Sequence, residues 1–160
     1  PMAIEWTEGD LDARGLRVAL VVARFNDAIC GNLLDGARDA LVLHGANGAD
    51  VGVVRVPGSW ELPQAASRLA RSGSWDAVVA LGALVRGETP HFDYIASAAA
   101  KGLAEAGITS GVPVIFGVLT TDTLEQAMDR AGGKAGNKGW DAALAAVEMV
   151  RLYRKIDEAG

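Results

Sequence analysis

The side chains most able to do chemistry gather in one stretch, Arg86-Gly87-Glu88-Thr89-Pro90-His91-Phe92. A threonine before a proline marks a helix start, with Thr89 as N-cap and Pro90 as the first helical residue. The free backbone N–H groups of Gly87, Glu88 and Thr89 near such an end suit a phosphate or a carboxylate. His91 then stands in the first turn, where an imidazole can give and take protons near neutral pH. The plainer reading of His91 is a surface histidine. Phe25, between Arg24 and Asn26, and Trp60, between Ser59 and Glu61, either cap the core or offer stacking faces to a planar heterocycle. Glu61 either complements a helix dipole or accepts hydrogen bonds from a polyol or an amine. His44 reads as compensating the C-terminal end of a helix. The run 130–139, from Arg130 to Lys138 and Gly139, is a glycine-rich basic turn between two helices.

Several familiar chemistries lack their signatures. The run 130–139 fails the Walker A pattern, because the spacing to Gly-Lys is wrong and no hydroxyl residue follows Lys138. The first strand is followed by Arg24-Phe25-Asn26 with no Gly-x-Gly, so no dinucleotide fingerprint is present. No Cys/His cluster has metal-ligand spacing, so no metal is expected. No Gly-x-Ser-x-Gly elbow exists.

The elements that must position these residues alternate in type. Short runs rich in β-branched residues, at 17–23, 51–56, 77–84 and 112–119, read as strands covered on both faces. Helix-length segments separate them, at 27–44, 60–71, 91–106 and 124–130, and a longer one follows at about 139–155. Residues 107–111 read as the turn between helix and strand. This alternation predicts an α/β fold, a doubly wound sandwich with a four-stranded parallel sheet and helices on both faces. A further short strand at 2–6, with residues 9–15 as spacer, is expected to pair with a neighbouring edge. Ligands of open α/β sheets bind beyond the carboxyl ends of the strands. The loops after the four strands therefore share one edge, and they carry Phe25, Ser59, Trp60, Glu61, His91 and the hydroxyls of Thr120 and Thr121.

At 160 residues, one domain over 1–160 is expected. Fifteen Lys and Arg against twenty Asp and Glu leave a net charge of −5, which argues against nucleic-acid binding by bulk charge. The lone cysteine, Cys30, fits a reducing cytosol, so a cytoplasmic protein is expected. No apolar run reaches the ~18 residues of a membrane span, and the first twelve residues lack a signal-peptide pattern. Glycine at 20 and alanine at 29 of 160 residues suit backbones that approach closely, within the fold or between subunits.

Five segments carry a family resemblance: Arg24-Phe25-Asn26, Val56-Pro57-Gly58-Ser59-Trp60-Glu61-Leu62-Pro63, the run 82–95 from Gly82 through His91 to Ile95, the run 117–127 from Gly117 to Ala127, and 130–139. In order and spacing they resemble the 6,7-dimethyl-8-ribityllumazine synthase family of riboflavin biosynthesis. The resemblance implies a flavodoxin-like three-layer sandwich. It implies condensation of 5-amino-6-(D-ribitylamino)uracil with 3,4-dihydroxy-2-butanone 4-phosphate, releasing inorganic phosphate and water, without cofactor or metal. By the same resemblance Phe25 stacks on the pyrimidine with Trp60 beside it, and Ser59 and Glu61 meet the ribityl chain. Leu84 and Val85 meet the pyrimidine, Gly87, Glu88 and Thr89 lie toward the phosphate, and His91 transfers protons. Phe116, Arg130 and Lys138 come from the adjacent subunit, Arg130 to phosphate and Lys138 to the pyrimidine. The resemblance further implies a homo-oligomer of pentamers. The short turn at 132–137 carries none of the insertion found in pentamer-only relatives, so a sixty-subunit icosahedral capsid is expected. A flavin or lumazine carrier, or a cage with secondary catalysis, are the alternatives. The intact set of His91, Arg130 and Lys138 argues against the carrier.

Overall fold

The computed structural model describes residues 5–160. The β-branched runs form four parallel strands, β1 (Val18–Ala23), β2 (Val51–Val56), β3 (Ala77–Val85) and β4 (Val114–Thr121), in the spatial order β2-β1-β3-β4. β1 is buried throughout, and so is β3 except for its last residue, as strands covered on both faces must be. β2 is a half-exposed edge strand. Val18 stands opposite Val51 on one side and Ala77 on the other, so the carboxyl ends share one edge. β3 and β4 stay paired as far as Val85 and Thr121, beyond the last β1 partner, Val22 opposite Leu81.

The helices are α1 (Asp27–Leu43), α2 (Leu62–Arg71), α3 (His91–Ser110), α4 (Leu124–Asp129) and α5 (Lys138–Ala159). α1 and α5 cover one face of the sheet, and α2 and α3 the other. The small residues serve close approach. A methyl group at Gly139, near the start of α5, would strike the Leu33 carbonyl of α1. One at Gly117 in β4 would lie 2.7 Å from the Ala80 carbonyl of β3.

The structure departs from the sequence expectations at three places, and a fourth expectation falls mostly outside the described residues. The strand expected at 2–6 lies outside the described residues as far as residue 4, and Glu5 and Trp6 have no regular structure. Residues 8–14 instead run along α5, with the Arg151 guanidinium donating to the Asp12 carbonyl at 2.8 Å and Lys155 to the Glu8 carbonyl at 2.7 Å. α3 continues through 107 to Ser110 and ends where Gly111 turns left-handed, φ 74°, so residues 107–110 are helix. That delays β4, which starts after Pro113. Finally, the glycine-rich run holds a small antiparallel hairpin, β5 (Ala131–Gly133) with β6 (Gly136–Asn137). Its strands are too short and too rich in glycine to show a period of two in sequence.

Candidate active site

The ends of β1, β2 and β3 deliver the walls of a cleft of about 430 Å³ at the carboxyl edge of the sheet, and the end of β4 does not line it. Phe25 follows β1, and its N–H donates to the Pro57 carbonyl at 3.2 Å. Ser59, Trp60 and Glu61 form a 3-10 turn between β2 and α2. Phe25 is 70% exposed and Trp60 55%, which removes the core-cap reading for both and leaves their faces open to a ligand. Ser59 is buried at the cleft floor, and Gly82 of β3 makes room for it: a methyl there would lie 2.6 Å from the Ser59 hydroxyl. The Glu61 carboxylate reaches back toward Gly58. Leu84 and Val85, at the end of β3, line the opposite wall with Gly87, Thr89 and His91.

α3 begins at His91, where the sequence places the start of the helical segment at 91–106, but its cap differs from the expected one. Pro90 takes the N-cap place with φ −72° and ψ 5°, and no side chain caps the helix, so Thr89 is not the N-cap. His91 keeps its expected position in the first turn, at the cleft. Phe92 and Ile95 also line it, which the sequence reading did not single out. Their signal is helical spacing, since Ile95 lies four residues after His91. Arg86 braces this corner. Its guanidinium donates to Asp122 at 3.0 Å and Asp93 at 3.2 Å, and sits 4.5 Å from the centre of the Phe92 ring. The bond to Asp122, with the charge of Asp93, holds Arg86 still more firmly protonated.

Phe116, Arg130 and Lys138 are not in this cleft. They line a second one of about 410 Å³ along β4, with Thr120, Thr121 and Asp141. The β5–β6 hairpin holds Arg130 and Lys138 together, with the Lys138 N–H donating to the Arg130 carbonyl at 2.8 Å. The Arg130 guanidinium rests on the Gln126 carbonyl at 3.0 Å. No residue lines both clefts, and Glu88 lines neither. His44 sits at the C-terminal end of α1, its Nδ1 2.7 Å from the Ala40 carbonyl and its ring edge-on to Trp140, away from either cleft.

Cys30 lies beneath Phe25 and donates its thiol hydrogen to the Phe25 carbonyl at 3.3 Å. Burial, reinforced by nearby Asp27, pushes the thiol up to about 11. At pH 8 the thiolate is then about a thousandth of the population. Native protein should resist iodoacetamide at pH 8 and label fully after denaturation, as read by mass spectrometry. Rapid stoichiometric labelling of the native chain would contradict this burial.

A parallel sheet with an aromatic-walled cleft at its carboxyl edge places this chain among the α/β proteins, whose ligand sites lie beyond the strand ends. The family follows from comparison. The model of the 6,7-dimethyl-8-ribityllumazine synthase family matches residues 15–154, and the chain belongs to that family. It is 58% identical over 150 residues to the 6,7-dimethyl-8-ribityllumazine synthase of Syntrophus aciditrophicus, covering 94% of this chain and 97% of the relative. It is 54% identical over 155 residues to the enzyme of the same name from Chloroherpeton thalassium, covering 97% of this chain and all of the relative.

Proposed function

We propose that this chain condenses 5-amino-6-(D-ribitylamino)uracil with 3,4-dihydroxy-2-butanone 4-phosphate to give 6,7-dimethyl-8-ribityllumazine, the penultimate step of riboflavin biosynthesis. The observation that carries this reading is the first cleft, where Phe25, Trp60, Ser59, Glu61 and His91 meet in a chain of this family. Phe25 stacks on the pyrimidine, and Leu84 and Val85 meet its edge. Ser59 and Glu61 bind the ribityl chain. Gly87, Glu88 and Thr89 lie toward the phosphate.

The chemistry balances without a cofactor or a metal. The 5-amino group attacks the ketone, and loss of water gives an imine. A proton leaves the adjacent carbon, phosphate departs, and the resulting enol tautomerises to a ketone. The ribityl-bearing nitrogen attacks that carbonyl, and a second water leaves as the ring closes. His91 takes and returns protons along this course. Mixing the purified chain with both substrates should give lumazine fluorescence and one phosphate per product. Neither signal appearing would end this reading.

Arg130 and Lys138 complete the site from the adjacent subunit, Arg130 toward phosphate and Lys138 toward the pyrimidine. A charge-assisted bond is worth ~1.5–3 kcal/mol, so Arg130→Ala should raise the KM for the butanone phosphate about 10- to 100-fold. The KM for the pyrimidine should change little. Equal losses for both substrates would argue against a phosphate role.

The reading includes a homo-oligomer of pentamers closed into a sixty-subunit capsid. Three features support it. β2 offers a half-exposed edge, with Val53 exposed, to which a neighbour's N-terminal strand can add. Leu124 and Met128 expose apolar surface on one side of α4. The β5–β6 hairpin turns through Lys134 and Ala135 alone, without an insertion. Light scattering decides between sixty chains and five. Among the described residues no helix is long and apolar enough to cross a membrane. From the family alone we place the reaction in the cytoplasm.

A further inference from the structure

β1 stops at Ala23 while β3 runs on to Val85. The last β3 residue paired with β1 is Leu81, so the β3 backbone beyond it has no β1 strand on that side. Asn26 occupies that place. Its side-chain amide donates to the Ala83 carbonyl at 2.9 Å, where the next rung of the sheet would be. Two costs accompany this bond. Among the described residues Asn26 alone combines a side chain with positive φ, at φ 62° and ψ 50°. That left-handed region is disfavoured for every residue with a Cβ, asparagine less than most. Asn26 also stands at the N-cap of α1, where an asparagine ordinarily spends its side chain on a helix N–H, and it makes no such bond. Local strain and a forgone cap both serve to aim one amide at β3.

The bond joins two walls of the cleft. Phe25 precedes Asn26 directly, held by the Pro57 carbonyl on one side and the Cys30 thiol on the other. Leu84 and Val85 follow Ala83 directly and line the facing wall. We propose that Asn26 is a positioning residue: bonded to Ala83 from its left-handed backbone, it sets the separation of Phe25 from Leu84 and Val85, and with it the slot that grips the pyrimidine. The identity of that ligand rests on the function proposed above.

Asn26→Gly keeps the left-handed backbone without strain and removes the bond. Asn26→Asp tolerates the same backbone and, ionised, cannot donate. Equilibrium binding of 5-amino-6-(D-ribitylamino)uracil, without the second substrate, reads the slot apart from the chemistry. In either variant the dissociation constant should rise about fivefold, because the ligand must then order a slot that the bond no longer holds in place. The KM for the butanone phosphate should stay where it is, and the thermal midpoint should move by only a few degrees, because the lost bond is one of the fold's own. In a Phe25→Ala background the same Asn26 substitution should cost less than about twofold, because a residue acting through Phe25 loses its lever when the ring is gone. Fully multiplicative effects would overturn the proposal, showing that Asn26 acts on the ligand independently of Phe25. An unchanged dissociation constant, or a parallel loss for both substrates, would overturn it as well. If the unmodified chain binds the pyrimidine but makes no lumazine, the proposed reaction fails while the Asn26 cycle still reads. If it does not bind the pyrimidine at all, both fail.

Discussion

His91→Ala should slow the condensation about 10- to 1000-fold while leaving both KM values within a few-fold. The residue opens α3 at the rim of the cleft, exposed, and faces the space that Phe25 and Trp60 enclose. Imine formation, phosphate loss, tautomerisation and ring closure each move a proton, so one group that both gives and takes protons touches several barriers. A general acid–base group typically contributes ~10²–10⁴-fold. The expected loss sits lower, because holding two reactants together supplies a large share of the rate without any proton transfer. Removing an exposed side chain from a helix start leaves the core intact, so the thermal midpoint should be unchanged. Added imidazole should restore part of the lost rate in the alanine variant, since it refills the space and the chemistry together. Full turnover without His91 would make it a structural residue only.

The position of His91 is legible in the sequence because two simple constraints converge on it. A sheet covered on both faces needs uninterrupted apolar runs, and residues 18–23 and 77–84 provide them. Parallel strands then put their following loops on one edge, which brings Phe25, Ser59, Trp60, Glu61 and His91 together without knowledge of any side-chain contact. Local features that depend on tertiary partners are harder to read. Nothing near Asn26 in sequence announces a left-handed backbone, because the partner that justifies it, Ala83, lies far along the chain. Thr89-Pro90 carries the pattern of a capped helix, and the structure puts Pro90, not Thr89, at the cap position. Gly107 looks like the end of a helix, yet α3 passes through it, because the helix continues until Gly111 supplies the left-handed residue that ends it. The β5–β6 hairpin is hidden by its glycines, although it is the device that sets Arg130 beside Lys138.

Mixing two disabled chains should restore activity. The Phe25–His91 cleft and the Arg130–Lys138 cleft of one chain share no lining residue, and β4 carries the second along its own side of the sheet. In the assembly proposed above, one site takes the first cleft from one chain and the second from its neighbour. A chain with His91→Ala still offers a sound second cleft, and a chain with Arg130→Ala still offers a sound first one. In rings assembled at random from equal amounts of the two, about one site in four takes His91 from one chain and Arg130 from the next. Each variant alone, assayed at limiting butanone phosphate where the Arg130 defect is largest, should be nearly inactive. Co-expressed rings should reach about a quarter of the unmodified rate, the product of two independent halves. Mixing variants that both alter the first cleft, Phe25→Ala with His91→Ala, gives a control in which arrangement within the ring matters differently. A chain of either kind lacks one part of the same cleft, so no site recovers. If co-assembled His91→Ala and Arg130→Ala chains stay as slow as the two variants alone, His91 and Arg130 serve the same chain, and the second cleft must reach the first within one subunit.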